Sequence, residues 1–186
     1  MIELVFYGSI SDDTIRDLIE DIEDANGDQV ILYFASPGGG IGATNVFIDY
    51  INNKCESEIE FVGFEELGSA AFSMFFQLNC KKRLLPYTTG FFHKYRIKFP
   101  WWDVKRKITM NKYKVICEKE SNEALYKFYK DEIGLSEHHL KEFSKGKDVV
   151  ITCSEFNNLL SWNNRYKESK EEVKITKKRS IKKWEF

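Results

Sequence analysis

The chain has 186 residues, 42% hydrophobic and 15% aromatic, enough for one domain with a substantial core and too few for two comfortable ones. Charged residues make up 31% yet nearly cancel to a formal net charge of −1, so no global field favours nucleic acid or a membrane surface. Cys55, Cys80, Cys117 and Cys153 lie far apart with no C-x-x-C pair, which disfavours a zinc site and a disulfide framework.

The opening "MIELVFYG" lacks the basic-then-apolar layout of a signal peptide and reads as a short strand. "SDDTIRDLIEDI" follows as a helix, with Ser11 as N-cap and Ile15, Leu18, Ile19 and Ile22 at helical spacing. "VILYFA" is a continuous apolar run of the kind found in strands covered on both faces. A helix over about 41–52 places Ala43, Val46, Phe47 and Tyr50 on one side, and "IEFVGF" makes the next strand. An apolar helix begins near Ser69; its segment "GSAAFSMFFQLNC" is too short to span a bilayer. "RLLP" and "GFFHKY" read as two short strands around a Tyr-Thr-Thr-Gly turn. The region from Asp103 to about Lys130 interleaves Lys and Glu with Ile108, Val115, Ile116, Leu125 and Phe128 and reads as a long, partly exposed helix, with Trp101 and Trp102 before it as core or interface. A helix over 136–143, a strand "DVVIT" and a helix or turn "SEFNNLLSW" end the packed domain. The alternation of strand and helix predicts an α/β fold with right-handed crossovers and a largely parallel sheet. A soluble cytoplasmic protein with reduced thiols is the expectation. From Arg165 onward nine Lys or Arg stand against four Glu, so residues 164–186 read as a basic, solvated, partly disordered tail, with an electrostatic contact as the alternative.

The stretch "LYFASPGGGIG" places three glycines between a strand and a helix N-terminus. Backbone N–H groups in such a turn suit either a phosphate or an oxyanion. Gly38, Gly40 and Ala43 satisfy G-x-G-x-x-A, with Glu65 or Glu66 as a ribose-binding acid; against a dinucleotide, Pro37 precedes the glycines and the acid falls late. Further on, Ser69 opens the buried helix, where a hydroxyl gains most from the helix dipole and backbone donors. Ser73, one turn deeper, reads as a buried helical serine bonded to a carbonyl. Of the three histidines, His138 and His139 sit among Glu and Lys on a polar helix, whereas His93 lies in an apolar strand.

The string "LYFASPGGGIGATNVFIDYI", then "GSAAFSMFF", "LPYTTGFFHKY" and "KDVVITCSEF" resembles the proteolytic subunit of Clp protease and its phage-type and prohead relatives, over roughly residues 2–162. The resemblance implies a ClpP/crotonase-like spiral of β-α units over 1–163, with a protruding handle helix in about 103–133. It implies Ser69 as nucleophile, His93 as base and Asp148 as the third triad member. Gly38 and Gly39 match the Ser-Pro-Gly-Gly turn, whose backbone N–H joins that of Ala70 in an oxyanion hole. The implied activity is serine-type peptide hydrolysis on peptide or unfolded protein, by a homo-oligomer. No metal or cofactor is needed for that chemistry, and no membrane or nucleic-acid partner is expected. Strand one begins almost at Met1, without the segment that forms axial gating loops in the housekeeping enzyme, which counts against docking to an AAA+ unfoldase.

Two other classes stay open. An ungapped count from Pro86 and His93 puts Gly68 opposite the family nucleophile, and Glu65 and Glu66 stand where small residues are usual; both suit a catalytically silent structural or regulatory relative. The crotonase fold also serves acyl-CoA enzymes, although this chain lacks their Ala- and Gly-rich second oxyanion segment. Lys94 and Tyr95 replace the usual Gln-Pro after the histidine.

Overall fold

The computed structural model describes residues 1–97 and 111–181. Six strands form one sheet: β1 (Ile2–Tyr7), β2 (Val30–Ser36), β3 (Ile59–Gly68), β4 (Lys81–Leu84), β5 (Thr89–Phe92) and β6 (Val149–Ile151). The order is β1-β2-β3-β5-β6, with β4 also paired to β3. All pairs are parallel except β5 with β6. The helices among the described residues are α1 (Asp12–Glu23), α2 (Ile41–Asn53), α3 (Ala70–Gln77), α4 (Asn111–Lys127), α5 (Glu137–Ser144) and α6 (Cys153–Ile181). Helices α1, α2 and α3 each connect parallel strands, as the alternating pattern requires.

The described residues fall into two compact units, one of residues 1–94 with 142–157 and one of residues 95–141 with 158–186. In the first, β2 buries one face completely, with Val30, Leu32 and Phe34 shut off from water, whereas Ile31 and Tyr33 on the other face are half-buried, so the strand expected to be covered on both faces is fully covered on one. Phe34 stacks on Phe6 at 4.4 Å and tilts against Phe61 at 5.0 Å. Phe61 carries the row on to Phe75 of α3 at 5.7 Å; there Phe72 stacks on Phe92 at 5.2 Å, and Phe156 meets Phe72, Phe75 and Phe76 at 5.2 to 5.6 Å. Burying each such ring is worth about 1.5–3 kcal/mol.

Helix α1 starts where its cap dictates: Thr14 N–H donates to Ser11 Oγ at 3.2 Å and Ser11 N–H to Thr14 Oγ1 at 2.9 Å. In α2 the buried face is Ala43, Thr44, Phe47, Tyr50 and Ile51, whereas Val46 is 58% exposed, against the expectation from spacing. Strand β3 runs four residues beyond the apolar segment "IEFVGF", because it changes partner midway. Its residues 60–63 pair with β4; Glu65 then takes a positive φ of 51°, and residues 66–68 pair with β5. Strands β4 and β5 are therefore successive neighbours of β3, and not the two arms of a hairpin. Buried Thr88 bridges the step, its Oγ1 lying 3.0 Å from Gly63 O and 2.7 Å from Leu85 O.

In the second unit, α4 continues as a π-helix over Phe128–Ile133 and stops at Gly134 in the left-handed region, φ 75°. A Cβ on Gly134 would lie 2.5 Å from Trp162 Nε1, so the indole occupies the space a side chain would need. Tyr95 N–H donates to Asn122 Oδ1 at 2.7 Å and Asn122 Nδ2 to Tyr95 O at 3.1 Å. Trp101, Trp102 and the start of the expected long helix lie outside the described residues. Residues expected to form a disordered tail are instead helical as far as Ile181. No Gly or Pro occurs after Gly146, and Thr152 and Glu155 form a capping box at the start of α6: Thr152 N–H donates to Glu155 Oε2 at 2.9 Å and Glu155 N–H to Thr152 Oγ1 at 3.4 Å.

Candidate active site

The junction of β3 and α3 turns at Ser69, whose backbone has φ 51° and ψ −114°. A non-glycine residue in such a sparsely populated region costs on the order of 1–3 kcal/mol and persists only when its surroundings fix it. Here they do. Ser69 N–H donates to Phe91 O at 2.6 Å, and α3 beyond it is buried from Ala70 to Phe76. The opposite side is closed by Gly38 (φ 99°): a Cβ there would lie 2.6 Å from Gly68 O, 2.7 Å from Ser69 Cβ and 3.0 Å from Ala70 N. A Cβ on Gly68 would in turn lie 2.8 Å from Pro37 O. Two turns thus meet main chain to main chain, and this close approach, more than chain flexibility, is why these positions are glycine. Ser69 is half-buried, and its hydroxyl has no hydrogen-bond partner among the described residues.

The glycine turn has little spare hydrogen-bonding capacity. Gly38 N–H donates to Ser36 Oγ at 3.0 Å, Gly40 N–H donates to Ile10 O at 2.8 Å, and Ile10 N–H returns a bond to Gly38 O at 2.9 Å. A Cβ on Gly39 would fall onto the Ile10 carbonyl oxygen. Of the three glycine N–H groups, only that of Gly39 is left without an acceptor among the described residues; Ala70 N–H, in the first turn of α3, is a second unspent donor. A pyrophosphate cradle needs several such donors, and Ile10 fills the space it would use, so the dinucleotide alternative does not fit. Of the two turn glycines expected at an oxyanion hole, Gly38 has its N–H spent on Ser36 Oγ and Gly39 does not.

His93 and Asp148 lie just past the paired ends of β5 and β6. The antiparallel register runs Gly90↔Ile151, Phe91↔Val150, Phe92↔Val149, and one further step sets His93 opposite Asp148. On the other side of β5, Gly68 pairs with Phe91. The three expected residues therefore stand on neighbouring chain segments at one end of the sheet. No hydrogen bond joins any two of them among the described residues. Asp148 is exposed and makes neither a hydrogen bond nor an ion pair there. His93 is half-buried, packs its ring 5.6 Å from that of Phe91, and has Nδ1 2.7 Å from Lys94 O. A carbonyl can only accept, so Nδ1 carries the proton and Nε2 is left as the acceptor.

The remaining candidates separate cleanly. Ser73 is buried within α3. His138 and His139 belong to α5, with His139 Nδ1 3.0 Å from Ser136 Oγ. Glu65 and Glu66 are exposed, yet a Cβ on Gly68 would lie 3.0 Å from Glu66 Oε1, so one carboxylate stands beside the Ser69 turn. No group of three or more His, Cys, Asp or Glu suited to a metal occurs among the described residues, and none of their helices is long and apolar enough to cross a membrane. The sequence reading missed Ser36, Ile10 and Lys94. Ser36 was legible as a Ser preceding Pro-Gly, a local side-chain turn, and Lys94 only as the neighbour of His93, whereas Ile10 acts through contacts remote in sequence.

No protein-family model and no curated protein matches this chain. Among solved structures it is similar to a ClpP1 mutant from Listeria monocytogenes, with a TM-score of 0.61 and 18% identity over 84% of this chain and 86% of that one. At that identity the likeness shows the fold, a ClpP/crotonase-like α/β arrangement, and the site residues stand on the geometry above.

Proposed function

We propose that this chain is a serine-type peptidase resembling the Clp proteolytic subunit, acting on peptides or unfolded protein as a homo-oligomer. The observation that carries the reading is the backbone of Ser69: a strained non-glycine residue, with an unpartnered hydroxyl, at the head of a buried helix and against a glycine turn. Such strain is retained where it aims a functional group.

Ser69 Oγ attacks the peptide carbonyl and passes its proton to His93 Nε2. The oxyanion takes hydrogen bonds from Gly39 N–H and Ala70 N–H, each worth about 10²–10³ in rate in comparable hydrolases. The imidazolium then protonates the leaving amine, and water repeats the cycle on the acyl-enzyme. Asp148, one ladder step across, supports the imidazolium by its charge. A fluorophosphonate or β-lactone probe should label the wild type and fail to label Ser69→Ala. Equal labelling of the two proteins would remove Ser69 from this role.

The missing hydrogen bond between Ser69 and His93 favours a second reading, a catalytically silent relative. It predicts an unlabelled wild type that still assembles, measurable by light scattering alongside the probe assay.

A further inference from the structure

We propose that Lys94 is the positioning residue for His93, in place of the acid expected there; this rests on the peptidase reading for its kinetic consequence but not for its geometry. Three observations carry it. The Lys94 carbonyl oxygen lies 2.7 Å from His93 Nδ1. The Lys94 ammonium donates to Ser144 O at 2.7 Å, fixing residue 94 to the segment that leads into β6. Asp148, although opposite His93 by register, is exposed and bonded to nothing among the described residues.

A triad acid has two separable duties: it holds the imidazole in the tautomer with Nδ1 protonated, and it stabilises the cation. Here the first belongs to the Lys94 main-chain carbonyl. Because that acceptor is covalently next to His93, its direction depends on the local backbone; the side-chain grip on Ser144 O restrains that backbone from residue 94, beside the bond that Tyr95 N–H, in the same peptide unit as the carbonyl, donates to Asn122 Oδ1 at 2.7 Å. The ammonium is 50 residues from its acceptor in sequence, so it also ties the end of β5 to the turn before β6. Throughout the proton transfer Nδ1 keeps its proton, and Nε2 gains and releases the one from Ser69. A neutral carbonyl supports the imidazolium less than a bonded carboxylate would, leaving Asp148 a lesser contribution by charge alone.

The test is ¹⁵N NMR of the His93 ring together with the rate of fluorophosphonate labelling. Wild type and Asp148→Asn should both show Nδ1 protonated, with labelling slowed about tenfold in the variant, against the roughly 10⁴-fold loss of a triad whose acid fixes the tautomer. Lys94→Ala should give mixed tautomers and slow labelling by about tenfold to a hundredfold, and Lys94→Arg should restore both. Inversion of the tautomer in Asp148→Asn, or an unchanged ring in Lys94→Ala, overturns the proposal. A wild type that is never labelled but keeps the Nδ1 proton in Asp148→Asn and loses it in Lys94→Ala sinks the peptidase reading while upholding this one.

Discussion

The Ser69 turn and the His93–Asp148 end of the sheet sit on adjoining segments but are constrained very differently. At Ser69 the backbone is held from three sides by Gly38, Phe91 and the buried first turn of α3, and an unfavourable conformation survives. At His93 the ladder ends one residue short, and the imidazole meets one main-chain carbonyl, that of Lys94, and the ring of Phe91. Ser69 is over-determined by packing and His93 is held by very few contacts, so substitution should damage the first through folding and the second through orientation.

The largest expected effect comes from the ring that serves both regions. Phe72 lies three residues after Ser69 and stacks on Phe92, the neighbour of His93. Phe72→Ala should cost about 3–5 kcal/mol in chemical denaturation; a loss under about 1 kcal/mol would mean that the two regions are not coupled through this core. Gly38→Ala adds a Cβ 2.6 Å from Gly68 O at a φ of 99°, and about 3 kcal/mol or more of stability should go with it. Retention of wild-type stability would show that the turn does not brace the elbow.

Ser69→Gly should act in the opposite direction, raising stability by about 1–2 kcal/mol relative to Ser69→Ala, because glycine relieves the strained dihedrals. Equal stability of the two variants would remove strain as the mark of this site.

The smallest effect concerns the turn before Asp148. Lys145, at 2.7 Å, and Lys147 hold the Glu142 carboxyl down to about 2 from its ordinary 4.5. A carboxylate depressed in the folded state contributes stability above its unfolded value and loses it as pH falls. Melting temperatures of wild type and Glu142→Gln should therefore differ slightly at neutral pH and converge between about 4.5 and about 2. The gap should also shrink with salt, since both lysines are at least half exposed. A gap that persists at the acid end would assign the effect to packing.

Much of this molecule was legible in order. The period-2 and period-3.6 patterns, the Ser11 cap and the Ser-Pro-Gly-Gly turn are local signals, because capping, strand burial and left-handed glycine conformations act within a few residues. The register that sets His93 opposite Asp148 was not legible, because β5 and β6 are remote in the sequence and nothing local says that they pair. The partner change of β3 at Glu65 was not legible: a strand that trades β4 for β5 depends on which segment arrives beside it, and its acidic residues look like a loop. The helical continuation to Ile181 was not legible from charge, since a run of like charges suits a solvated chain as well as a helix that no Gly or Pro interrupts.

By itself the sequence determined an α/β chain with a glycine turn and a serine at a helix start, since these depend on near-neighbour sterics and hydrogen bonding. Only the tertiary structure decided that Ile10 takes up the Gly40 N–H, that the Lys94 ammonium reaches Ser144 O, and that Asp148 stays exposed across from His93. Those outcomes are fixed by which remote segments the packed sheet brings together, and near-neighbour sterics carry no record of that.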